Sequence, residues 1–222
     1  MVLKIYGNRF SISTRLVATV CEEYKIPYEL TSLNLLFKEH KKEEYLKHHP
    51  YGVVPYIDDD GFVLYEIRAI ARYIATKYRK NAAVPLFPDP ITESEKYAKY
   101  EQAASAETAY WDKYASNVAQ DLVTLPSFGF GVDPSYAQKR LQNLYASLDV
   151  YETVLSKQKY IAGDEFSLID IFHLPYGTLL TSHKILNLLD EDKRPNVARW
   201  WKDISALPSW NRVQVQVPDS WP

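Results

Sequence analysis

A single cysteine, Cys21, among 222 residues rules out an internal disulfide and any cysteine-based metal cluster. The five histidines offer no metal spacing either: His48 and His49 are adjacent, and His40, His173 and His183 stand alone. Charge of one sign is also lacking. Lys and Arg number 26 against 28 Asp and Glu, a formal net charge of -2, and apart from a short region at 38–47 the basic residues are scattered, so nothing supports nucleic-acid binding. No apolar run is long enough for a membrane span, because the longest, 171–189, is interrupted by His173, Pro175, His183 and Lys184. The N-terminus has no charged segment followed by an apolar one, hence no visible secretory signal. The expectation is a cytoplasmic protein with no metal, no nucleic-acid partner and no membrane partner.

What is present is ample material for a core, 46% hydrophobic residues, arranged in two patterns. The first 80 residues alternate short apolar runs with helical periodicity. Val2 to Tyr6 reads as a strand, the segment to about Lys25 as a helix, and 27–31 as a second strand. After a polar stretch, Gly52 to Asp58 and Phe62 to Tyr65 flank an Asp-Gly turn, which predicts a hairpin. Ile67, Ile70, Ala71, Ile74 and Tyr78 then recur at helical spacing, with Glu66 placed in the first turn. The order βαβ then ββα predicts a small α/β layer at 1–80. Residues 81–91 hold three prolines and read as a linker, and 92–222 read as an all-helical domain. Within it, Ser167-Leu168-Ile169-Asp170, preceded by Phe166, is a capping box with an apolar staple, structural in role.

Chemistry is suggested where the first strand meets the first helix. Ser11 sits at that junction: either it or Ser13 is an ordinary helix N-cap, or Ser11 is a donor to an anionic thiolate held at the helix N-terminus. Cys21 falls on the apolar face of the same helix, where a thiol is usually a core residue.

The order and spacing of several short motifs over essentially the whole chain resemble a cytosolic glutathione transferase of the phi class or a phi-like fungal relative. They are Ser11 in the first strand-helix turn, Glu39-His40-Lys41-Lys42, His49-Pro50-Tyr51-Gly52-Val53-Val54-Pro55, Glu66-Ile67-Arg68-Ala69-Ile70, and the run Gly163 to Asp170. The resemblance implies a thioredoxin-like N-terminal domain followed by an all-helical domain, glutathione as co-substrate and a homodimer. It implies that Ser11 donates to the glutathione thiolate, with Tyr6 as the rival donor. It further implies a cis peptide between Val54 and Pro55 with the Val54 backbone pairing to the cysteinyl unit, Glu66 and the start of its helix at the γ-glutamyl group, and His40 and Lys41 at the glycine carboxylate. The second substrate is expected between Asn8, Phe10 and Ile12 and the helix bearing Tyr110, Trp111 and Tyr114, with 122–132 lining or lidding the mouth.

Two positions depart from the phi pattern. Ile67 stands where that pattern has Ser, and Val53 where it has Gln, and each replaces a hydrogen bond to glutathione with an apolar group. The implied function is conjugation of glutathione to small hydrophobic electrophiles or reduction of organic peroxides. The alternative is a ligandin-type carrier of hydrophobic or aromatic molecules that uses glutathione weakly.

Overall fold

The computed structural model describes residues 2–82 and 84–217; Met1, Ala83 and 218–222, which the expected domains and linker include, lie outside the described residues. The chain forms two compact units, residues 1–87 with 207–222, and 88–206.

In the first unit, β1 (Leu3–Gly7) pairs in parallel with β2 (Tyr28–Ser32) and antiparallel with β3 (Tyr56–Asp59), which pairs with β4 (Phe62–Tyr65), giving the order β2-β1-β3-β4. The parallel pair requires a crossover, and α1 (Ile12–Glu23) supplies it. The expected hairpin forms: Asp59 faces Phe62, and the two residues between them, Asp60 and Gly61, both take positive φ, 60° and 85°, as a two-residue turn matched to strand twist requires. Leu3 and Ile5 of β1 and Ile57 of β3 are buried, as are Leu16, Val17, Val20 and Cys21 of α1 and Ile70, Ala71 and Ile74 of α3 (Ile67–Lys77). Each of the Leu, Ile and Val side chains contributes roughly 1.5–3 kcal/mol when fully buried. The short α2 (Glu43–Leu46) precedes β3. With a four-stranded mixed sheet and these helices the unit is thioredoxin-like. Cys21 is fully buried and unpaired, and burial pushes its thiol far above the ordinary range, so it is a core residue and no nucleophile.

The second unit is helical. From Ser94 to Ser127 the backbone stays helical through α4 (Ser94–Ala106), a π-helical stretch (Glu107–Asp112), α5 (Lys113–Ala119), a second π-helical stretch (Gln120–Thr124) and α6 (Leu125–Ser127). Then come α7 (Pro134–Leu155), α8 (Leu168–Ser182) and α9 (Pro195–Ser205). Ten residues of α8 are buried, so this helix is the centre of the unit. The expected capping box opens it: Ile169 N–H donates to Ser167 Oγ, and the Asp170 carboxylate accepts from Ser167 N–H (2.9 Å) and from Ile161 N–H (3.1 Å) and Trp200 Nε1 (2.9 Å). One side chain thus ties α8 to the preceding loop and to α9.

The chain's last described helix, α10 (Pro208–Val213), departs from the expectation that 92–222 form one helical domain. It packs on α1 in the first unit. Arg212 Nε pairs with the buried Glu22 at 3.0 Å, and Ser209 hydrogen-bonds Glu23.

Candidate active site

The turn between β1 and α1 is built by short-range hydrogen bonds. Asn8 anchors it: its side-chain amide donates to Leu33 O (2.8 Å), its Oδ1 accepts from Phe10 N–H (3.0 Å), and its carbonyl accepts from Ser11 N–H (2.9 Å). β1 ends at Gly7, where a Cβ would collide with the Thr14 side chain and lie 3.1 Å from Pro55, so glycine lets the Ser11 turn and the Pro55 loop close on the strand end. Ser11 is half-buried and is the N-cap of α1, as the cap expectation held. Its Oγ accepts from Thr14 N–H at 3.5 Å, a long bond, and among the described residues no acceptor takes its proton. The hydroxyl is therefore available as a donor at a helix N-terminus, where partial positive charge favours an anion.

Tyr6 lies opposite Tyr56 in the β1–β3 register, and the two rings stack with centroids 4.6 Å apart. Tyr45 of α2 and His48 complete that cluster around Tyr56, at 5.0 Å and 5.2 Å.

The loop before β3 carries the remaining expected residues of this unit. The Val54–Pro55 peptide is cis, as the resemblance implied, and Val54 lies outside the ladder, which begins at Tyr56. Val53 is half-exposed, with its carbonyl accepting from Tyr45 Oη at 2.7 Å. His40 and Lys41 occupy a 3-10 turn (Glu39–Lys41). Lys41 Nζ donates to Tyr51 O (3.2 Å), and burial, reinforced by Lys41, lowers the His40 pKa and favours its neutral form. Glu66 is exposed and is the N-cap of α3 rather than a residue of its first turn. Its φ of 72° with ψ of 109° is a conformation that costs a non-glycine residue about 1–3 kcal/mol and tends to be kept at ligand sites. Half-buried Ile67 follows as the first residue of α3.

His49 was not singled out for a role by the sequence, yet it lies beneath this surface. It is 1% exposed, stacks on Tyr65 at 4.7 Å, and its Nδ1 is buried without a hydrogen-bond partner among the described residues. Burial lowers its pKa, with Glu66 opposing and Lys41 adding to the shift. A lone histidine beside another in a polar stretch gives no sequence signal for this.

In the second unit, Tyr110 and Tyr114 line a cavity of about 580 Å³ together with Ala103, Ala106, Val150 and Val154. Trp111 does not join them. It is wholly buried, its ring 4.9 Å from His173 and 6.4 Å from Tyr151. Residues four apart share a helix face and adjacent residues do not, so Tyr110 and Tyr114 face out while Trp111 packs inward with Ala115. Phe128 and Phe130 of the 122–132 segment are exposed.

Residues 1–76 match the family profile of the glutathione S-transferase N-terminal domain, and residues 114–208 that of its C-terminal domain. Glutathione S-transferase PM239X14 of Arabidopsis thaliana is 38% identical over 90% of this chain and 90% of its own. Glutathione S-transferase hmp2 of Hypomyces subiculosus is 37% identical over 97% and 99%. The chain belongs to the glutathione S-transferase family. Among solved structures, glutathione transferase F7 from Populus trichocarpa superposes with a TM-score of 0.86 at 31% identity, over 96% of this chain and 98% of the other. Glutathione S-transferase I from maize, solved with an atrazine glutathione conjugate, gives 0.84 at 30% over 96% of each. These relatives place this glutathione S-transferase with the phi class, and glutathione is its co-substrate. Among the described residues no cluster of His, Cys, Asp and Glu could hold a metal ion, and no helix is long and apolar enough to cross a membrane.

Proposed function

We propose that this glutathione S-transferase activates glutathione by a hydrogen bond from Ser11 to the thiolate. The observation that carries the reading is the Ser11 hydroxyl at the N-terminus of α1, with its proton taken by no described acceptor. A thiol with a pKa near 8.5 is only a few per cent ionised at neutral pH, and lowering it by ~1.5–2 units requires roughly 2–2.7 kcal/mol. One hydrogen bond to a charged group supplies about 1.5–3 kcal/mol, and the helix N-terminus adds to it. Tyr6, the rival donor, lies within β1 and lacks the helix N-terminus that assists Ser11.

In this reading the backbone of half-buried Val54 pairs with the cysteinyl unit, beside Val53 and Pro55. Glu66 accepts the γ-glutamyl amine and the N–H groups at the start of α3, from Ile67 onward, take its carboxylate. His40 and Lys41 hold the glycine carboxylate. Asn8, Phe10 and Ile12, on and beside the turn that carries Ser11, contact an apolar second substrate, while Tyr110 and Tyr114 line the cavity within the second unit. The maize relative's bound conjugate supports a small hydrophobic electrophile as that substrate. The protein acts in the cytoplasm as a homodimer.

Ser11→Ala tests the reading. The thiolate fraction at pH 7 should drop roughly tenfold or more, and conjugation kcat/KM with it, while glutathione Kd changes by only a few-fold. An unchanged rate in a folded variant would refute the role. Val53 and Ile67 are the observations favouring the carrier alternative. Calorimetric titration separates the two: no glutathione binding at about ten millimolar, a Kd worth under ~3 kcal/mol, supports the carrier.

A further inference from the structure

Beyond α10 the chain turns back to the catalytic turn. Helix α10 is seated on α1 by the Arg212–Glu22 pair and by Trp210 and Val213, both buried. Residues 215–217 then make two contacts that bracket Ser11. The Val217 N–H donates to Arg9 O at 2.9 Å, two residues before Ser11. The Val215 carbonyl accepts from Arg15 Nη2 at 2.8 Å, four residues after it and one helical turn along α1. Val217 itself has no exposed surface. Asn8 fixes the N–H groups of Phe10 and Ser11, and the strap holds the Arg9 carbonyl between them.

We propose that residues 215–217 are a positioning strap, with Val217 and Arg15 holding the Arg9–Ser11 turn in the geometry from which the Ser11 hydroxyl reaches the glutathione thiolate. The inference rests on the reading of Ser11 as thiolate donor. Its physical basis is that stabilisation of a developing or resident charge depends on a donor held within a fraction of an ångström, so loss of an anchor outside the site weakens the site without touching ligand. The peptide's other contacts lie on the Val54 and Glu66 loops, so affinity should be spared.

The test compares Val217→Pro, which deletes the N–H, with Val217→Ala, which keeps it and removes packing. The readout is the pKa of bound glutathione, followed by ultraviolet thiolate absorbance. Val217→Pro should raise that pKa by about half a unit or more, roughly threefold in thiolate below the pKa, with glutathione Kd within about twofold. Val217→Ala should lower the melting temperature and leave the pKa in place. Arg15→Met, a second variant should the proline prevent folding, should shift the pKa in the same direction, and Arg15→Lys should recover part of it. A wild-type pKa in folded Val217→Pro and Arg15→Met proteins overturns the strap, as does an equal shift in Val217→Ala. Ser11→Ala separates the two claims. If it alone leaves the pKa unchanged, the Ser11 reading fails, and a shift on adding Val217→Pro to it would show that the strap acts on some other group.

Discussion

At Ile67 the chain exchanges a hydroxyl for an apolar side chain at the first residue of α3, directly after Glu66 in its left-handed conformation. Restoring the hydroxyl with Ile67→Ser should add a donor to the γ-glutamyl carboxylate worth about 1–2 kcal/mol, roughly five- to thirty-fold tighter glutathione by calorimetry. Unchanged or weaker affinity in the folded variant would show that this position does not face the γ-glutamyl group. The residue scale is also where sequence reading misplaced two side chains. Glu66 was expected inside the first helical turn, and nothing in its identity announces a φ of 72°, because the residues that usually signal that region are Gly and Asn. Trp111 was expected beside Tyr110 and Tyr114, and an aromatic run on a helix does not by itself say which of its members face inward.

Between elements, Asp59 is the hub that fastens the β3–β4 hairpin to α3. Its buried carboxylate accepts from Tyr73 Oη (2.9 Å), Tyr78 Oη (3.0 Å) and Lys77 Nζ (2.7 Å). Burial alone would raise its pKa, but the bonds from Lys77, Tyr73 and Tyr78 outweigh it and hold the carboxyl below its ordinary value. A depressed folded-state pKa means that the stabilisation is complete above the unfolded value of about 3.9 and is lost as pH falls through the folded one. Asp59→Asn should therefore cost about 1–3 kcal/mol at pH 7, measured by urea denaturation. The difference from wild type should shrink as the pH falls below about 4; a difference that stays constant down to pH 2 would mean that charge plays no part. The hairpin itself was legible from its Asp-Gly turn, and α8 from its capping box, because both are short-range patterns. The two π-helical stretches, Glu107–Asp112 and Gln120–Thr124, left no such trace, since they alter helical period without changing the residue types that favour helix. The return of α10 and residues 215–217 to α1 was also invisible, because it joins residues about 200 positions apart.

For the molecule as a whole, a βαβ-ββα pattern, a proline-rich stretch and a helical remainder were enough to indicate a small α/β layer and a helical domain, and the family resemblance implied that the first is thioredoxin-like. The ordered motifs from Ser11 to Asp170 then led to the family that the comparisons establish. The proposed homodimer predicts a light-scattering mass near twice 25.7 kDa at micromolar concentration, through a C2 interface, and a mass near the single-chain value would contradict it. The central claim, that Ser11 makes glutathione a thiolate, is tested most directly by titrating the ultraviolet thiolate absorbance of bound glutathione in the wild-type, Ser11→Ala and Tyr6→Phe proteins. The account predicts a bound-thiol pKa about 1.5–2 units below the free value in the wild type and in Tyr6→Phe, returning towards about 8.5 in Ser11→Ala. A thiolate that survives Ser11→Ala and disappears in Tyr6→Phe would contradict it.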